Sequence, residues 1–278
     1  MSNPDTPTAA ADKSQPSAPP AAEESLGFLD HFRELRARLV KICIAVGLGF
    51  GLCWIFKSHL VDALFQPLLN ALAATGQPAN IVALGVPEKF ITYMKIALMG
   101  GIFVSSPVIF YQIWAFVAPG LYDEEKTCII PVALASAVFF VLGALFCYCV
   151  LFPNALPFLL GFGEEYMRDT PRLSEYFAFA LQLLLAFGLI FELPLFVFFL
   201  ARLGLVSAAS LRRFRRYYIV GAFIAAAVLT PPDVMSQLIM AAPMLLLYEF
   251  GIFIAVLFGR KPGKKTEEKT ESPKPVHK

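Results

Sequence analysis

Three adjacent carboxylates, Asp123, Glu124 and Glu125, close the stretch PVIFYQIWAFVAPGLYDEEK, residues 107–126, with Trp114, Phe116 and Tyr122 just before them. A guanidinium suits such a place, because it donates two parallel hydrogen bonds to a carboxylate and stacks on an aromatic face. The residue types therefore describe a site for a cationic peptide. The plainer reading is a solvated loop that keeps two helices apart. Chemistry alone does not separate Glu124 from Glu125 as the partner of an arginine. Another carboxylate, Glu192 in LIFELPLF, lies deep within an apolar run. An ionised group there is costly unless paired or hydrated, and marks a functional position by default. It is either a protonated acid making one interhelical hydrogen bond or the polar lining of a concave bundle face.

Catalysis and metal binding fit poorly. His31, His59 and His277 all lie outside the apolar runs, so an intramembrane nucleophile has no base beside it. There is no HExxH, and the only P-loop-like run, GLGFG at Gly47–Gly51, sits inside an apolar span with no strand before it. The five cysteines form no CxxC and read as small apolar packing residues. No enzyme activity, metal or cofactor is expected, and the net charge of +2 gives no sign of a nucleic-acid partner.

The elements that must hold these residues are membrane helices. Of 278 residues 58% are hydrophobic and only 16% charged, against about 25% in a soluble domain. Residues 1–27, rich in Pro, Ala, Ser and Thr, read as a disordered tail without the apolar core of a cleavable signal. Residues 28–259 read as the membrane domain, and 260–278 as a second disordered, charged tail. Phe28, Phe32, Leu35 and Leu39 recur at helical spacing ahead of a first span near 39–56, where Gly47 and Gly51 form a GxxxG. A long connection, broken by Pro67, Gly76 and Pro78, leads to a second span from Phe90 that Pro107 should kink and Pro119-Gly120 should end. The third span covers 128–152, and the fourth covers 176–203. After a basic loop at Arg212–Arg216, the fifth span, Tyr217–Thr230, reaches only about 21 Å. The turn TPPD leads to a sixth span ending near Phe258.

Six spans place both termini on one side, together with the acidic and basic loops. Lys and Arg concentrate near the termini and in the basic loop, so this side is the cytoplasm. The expected fold is an all-α, polytopic bundle of six transmembrane helices.

Four ordered motifs, FRELRARL, the 107–126 stretch, FELP at 191–194 and LTPPDVMSQ at 229–237, together resemble the TatC family, the large integral subunit of the twin-arginine protein translocase. The resemblance runs from about residue 28 to 258. It implies a cupped bundle in the bacterial cytoplasmic membrane, driven by the proton-motive force, that receives paired-arginine signal peptides of folded cargo. It further implies single-span TatA and TatB partners and self-association in a translocase complex within the lipid bilayer. By position it assigns Glu125 and Phe116 to the signal-peptide site, where neighbouring Glu124 is expected to help, and Glu34 and Arg36 to an N-terminal cytoplasmic patch. Glu192 matches the polar residue of the concave face, Thr230 and Gln237 the partner-docking positions, and Pro67, Pro107 and Asp233 structural ones. The loop differs from many relatives in carrying two carboxylates before Glu125 and one lysine after it. The alternative is a secondary transporter with Glu192 as coupling carboxylate, but the internal repeats it would want are not evident.

Overall fold

The computed structural model describes residues 20–78, 85–117, 129–161, 172–230 and 234–258. Its elements are α1 (Pro20–Ile55), α2 (Lys57–Thr75), α3 (Val86–Val117), α4 (Ile129–Phe146), a π-helical turn (Cys147–Leu151), α5 (Phe152–Gly161), α6 (Leu173–Phe191), α7 (Leu193–Arg202), α8 (Ala208–Leu229) and α9 (Val234–Phe258). Five stretches among the described residues are long and apolar enough to cross a membrane: His31–Ile55, Pro87–Val117, Ile129–Gly161, Leu173–Arg202 and Val234–Phe258. The sixth is α8. Its arginines, expected in a loop, lie in its first helical turns, which Ser207 caps by accepting from Ser210 N at 3.1 Å. Its apolar part, from Tyr217 to Leu229, rises roughly 20 Å.

The helices form an open row. The first, α1, packs chiefly on α3, α3 on α4 and α6, α7 on α9, and α9 on α8, while α2 lies against α5. Phe152, Phe177, Phe187 and Leu183 are fully buried where α2, α4, α5 and α6 meet. Leu48, Ile55, Val228 and Leu246 are largely exposed, as lipid-facing positions should be, since lipid tails are as apolar as leucine. The first helix begins at Pro20, so no break marks residue 28, where sequence alone ends the tail.

Several boundaries differ from expectation because helices run through prolines. The second helix continues through Pro67 and stops at Gly76, whose positive φ of 71° closes the turn. Proline at position i removes the donor to carbonyl i−4 and crowds that turn. Here the Ala63 carbonyl accepts from Tyr148 Oη at 2.8 Å, and the Leu64 carbonyl accepts from Tyr176 Oη at 2.7 Å. The buried Pro67 thus frees the Ala63 carbonyl for Tyr148, and the Tyr176 bond to Leu64 beside it adds a second tie of α2 to the bundle. Along α3, Pro107 leaves the Phe103 carbonyl without its usual donor, and the Ser106 hydroxyl takes that place at 2.7 Å. The third span also extends past Phe152 to Gly161, and Pro153 begins no loop.

The GxxxG of α1 is not what seats α3. A Cβ on Gly47 or Gly51 would meet nothing within 4 Å, whereas one on Gly101 would stand 2.6 Å from Phe50 N. A Cβ on Gly49 would stand 2.7 Å from the Gly101 carbonyl oxygen, and nearby Ser105 Oγ donates to the Ala45 carbonyl at 2.7 Å. Gly101→Ala should therefore destabilise the purified protein by about 1–3 kcal/mol, as overpacking does. Gly47→Ala should leave the melting temperature unchanged or slightly raised, since alanine is the better helix former. Thermal unfolding in detergent checks both signs.

Candidate functional site

The α1–α3 pair brings together a polar corner at its cytoplasmic end. Glu34 and Arg38 lie one helical turn apart, and Arg38 Nε donates to Glu34 Oε1 at 3.0 Å. Arg38 Nη1 also reaches Gln112 Oε1 of α3 at 3.5 Å, and Gln112 is buried. One turn further on, the His31 ring stacks on Phe116 with centroids 4.4 Å apart and planes at 24°. Contacts from Arg38 to Gln112 and from His31 to Phe116 thus bring the start of α1 beside the end of α3. Arg36 is exposed and makes no hydrogen bond or ion pair with the described residues. Glu124 and Glu125 lie outside the described residues, in the segment after Val117, as does Asp233 further along.

The Glu34–Arg38 pair is held loosely. Its side chains are 35% and 20% exposed, and an i,i+4 pair of this kind contributes about 0.3–0.5 kcal/mol. An incoming guanidinium can displace such a pair at little cost.

Glu192 sits at the break between α6 and α7. Pro194 at the start of α7 cannot donate back into α6, so the helix restarts there. The Glu192 carboxyl lies within hydrogen-bonding reach of the Ser136 hydroxyl on α4. Ser136 Oγ in turn accepts from Trp114 Nε1 on α3 at 2.9 Å. The Trp114 ring meets Phe199 of α7 edge-on at 4.4 Å. A polar thread therefore runs from α3 through α4 to the α6–α7 break, inside apolar packing. Glu192 Oε1 is enclosed and accepts no hydrogen bond from the described residues.

Thr230 and Gln237 both belong to the α8–α9 hairpin. The buried Thr230 donates from Oγ1 to the Ala226 carbonyl at 2.9 Å and caps α8. Gln237 Nε2 donates to the Phe223 carbonyl at 2.8 Å, bridging α9 to α8. At the other end of the same pair, Tyr248 Oη donates to the Leu211 carbonyl at 2.8 Å and Arg215 pairs with Glu249 at 2.7 Å. Between them the Tyr218 and Tyr248 rings stack at 4.0 Å.

Sequence reasoning gave no role to Arg38, Gln112 or Ser136. The spacing of Arg38 from Glu34 was a readable signal. Ser136, small and set among alanines, gave none. Among the described residues no cluster of three or more potential metal ligands occurs, and Cys43, Cys53, Cys147 and Cys149 are unpaired.

A family model described as "Sec-independent protein translocase protein (TatC)" matches residues 30–243. The Sec-independent protein translocase protein TatC of Desulforapulum autotrophicum is 44% identical over 250 residues, covering 90% of this chain and 92% of that relative. The protein of the same name from Aquifex aeolicus is 41% identical over 234 residues, 84% of this chain and 95% of its own length. The one from Escherichia coli K12 is 37% identical over 252 residues, 89% and 95% of the two chains. A crystal structure of the twin arginine translocase receptor TatC superposes with a TM-score of 0.72 at 40% identity, covering 82% of this chain and 99% of that one.

The thread through Ser136 carries its own test. Ser136→Ala leaves the buried Trp114 N–H without an acceptor, which should destabilise the protein by about 1–3 kcal/mol. In a Trp114→Phe background the same change should cost far less. A double-mutant cycle read by thermal unfolding in detergent measures the coupling.

Proposed function

The chain belongs to the TatC family of Sec-independent protein translocase proteins, and on that premise we propose that it is the core and signal-peptide receptor of a twin-arginine translocase. It is a multi-pass protein of the cytoplasmic membrane and a translocase component, not an enzyme. The observation that supports the receptor reading is the corner of α1 and α3 formed by Glu34, Arg38, Gln112, His31 and Phe116, at the end of α3 that precedes the acidic stretch in sequence.

In this reading the paired arginines of a folded cargo's signal peptide dock at that corner. Glu125 takes one guanidinium through a bidentate, charge-assisted contact, with Glu124 beside it. Glu34 releases Arg38 to help hold the second, and Phe116 offers a ring edge next to it. Arg36, exposed on the same helix, supplies polar surface at the rim. The apolar part of the signal then lies along the open row of helices, past Glu192. TatA and TatB, each a single-span helix, dock at the α8–α9 hairpin. Thr230 and Gln237 keep that hairpin in shape from within, while their exposed neighbours Val234, Met235 and Leu238 offer the contact surface. The short apolar part of α8 thins the bilayer locally, and export draws on the proton-motive force. The relatives described above are protein translocase components, which lends the secondary-transporter alternative no support.

Binding of a paired-arginine signal peptide to the detergent-solubilised protein tests the site. Replacing Arg-Arg by Lys-Lys in the peptide, or Glu125→Ala in the protein, should each weaken binding by roughly tenfold or more, the loss expected for one charge-assisted contact. Equal affinity in all four combinations would overturn the receptor site and leave the acidic loop a solvated turn.

A further inference from the structure

A second polar place lies in the opposite half of the membrane. On α3, the Phe90 ring stands edge-on to Trp54 at 5.8 Å, and Lys57 Nζ sits 4.5 Å above the same Trp54. Aromatic and basic residues so placed mark a membrane–water boundary, here on the face away from the acidic loop. Lys95 follows Phe90 by five residues, so it lies about 7.5 Å deeper along the helix axis. Lys95 and Gln182 of α6 together line a cleft of about 260 Å³ between α3 and α6, whose walls are Leu98, Met99, Ile102 and Leu181. Both polar side chains are exposed, and neither makes a hydrogen bond or ion pair with the described residues.

An ammonium at this depth needs a counter-charge. No carboxylate among the described residues pairs with it, and an anion of the surrounding bilayer can take that place. The cleft is too small for a helix, which is about 10–12 Å wide with its side chains. Its outer rim, with Met94 and Leu98 exposed, faces lipid. An occupant must present an anion to Lys95 and alkyl chain to Leu98, Met99 and Ile102. We propose that this cleft is a binding site for an anionic glycerophospholipid of the outer leaflet. Its phosphate accepts from the Lys95 ammonium and the Gln182 amide, and an acyl chain lies against the apolar walls. Basic pockets between transmembrane helices hold lipid head groups by this chemistry. Lysine suits the task because its compact charge on a flexible stem reaches back toward the head-group level.

The full chain, purified in a mild non-ionic detergent, tests this. Native mass spectrometry reads retained phospholipid, and thermal unfolding reads the response to added lipid. Wild type should retain phosphatidylglycerol, and phosphatidylglycerol should raise its melting temperature more than phosphatidylcholine or glycerol phosphate does. Lys95→Gln should lower retention about tenfold, the loss expected of one charge-assisted contact, while Lys95→Arg keeps it and Gln182→Leu gives a partial loss. Helical content by circular dichroism should be the same in all four proteins. Unchanged retention in Lys95→Gln overturns the proposal. Equal protection by phosphatidylcholine also overturns it, leaving a lysine that merely snorkels to bulk head groups. Equal protection by glycerol phosphate overturns the lipid as occupant in favour of a free anion.

Discussion

Inside hydrocarbon a backbone carbonyl without a donor has no water to turn to, and that constraint organises this bundle. At Pro67 and Pro107 a helix releases an acceptor, and a side chain meets the demand. Pro67 releases the Ala63 carbonyl that Tyr148 occupies, and with Tyr176 on the neighbouring Leu64 carbonyl this fastens α2 to the helices behind it. Pro107 releases the Phe103 carbonyl, which Ser106 satisfies from the preceding residue, so α3 reaches its last turn and delivers Gln112 and Phe116 to the cytoplasmic corner. The prolines are therefore joints rather than breaks. They set where helices are held and, through α3, where the candidate receptor site stands.

The same economy shapes the interior polar groups. Trp114, Ser136 and Glu192 lie on different helices, yet each supplies part of one thread. The thread joins α3, which carries half of the cytoplasmic corner, to the break between α6 and α7. Because the partners are few and enclosed, a change at one of them is felt by the others. At the corner itself the balance differs: Glu34 and Arg38 are partly exposed and one turn apart on the same helix, which suits a place that must exchange partners.

Much of this was legible in the sequence. Long apolar runs gave the spans, and the motif at 107–126 led to the end of α3, where Phe116 stacks on His31. What stayed hidden depended on three-dimensional neighbours. Gly47 and Gly51 match a known motif, but rotation of α1 about its axis puts Gly49 against Gly101 instead. The arginines at 212–216 look like a loop because they are charged, yet Ser207 caps a helix that includes them. Pro67 looks like a breaker because its tyrosine donors are far away in sequence. Glu192 was visible by its type, but the serine facing it was not.

The α8–α9 hairpin bears on how the protein is made. Alone, α8 is a poor guest of the membrane: its apolar part is short, and a group of arginines occupies its first turns. Its partner α9 is long and apolar, and the two are joined at both ends by Gln237, Tyr248 and the Arg215–Glu249 pair. The residence of α8 in the bilayer thus depends on residues synthesised after it. These contacts that hold α8 are all made with α9, so they exist only once α9 has left the ribosome.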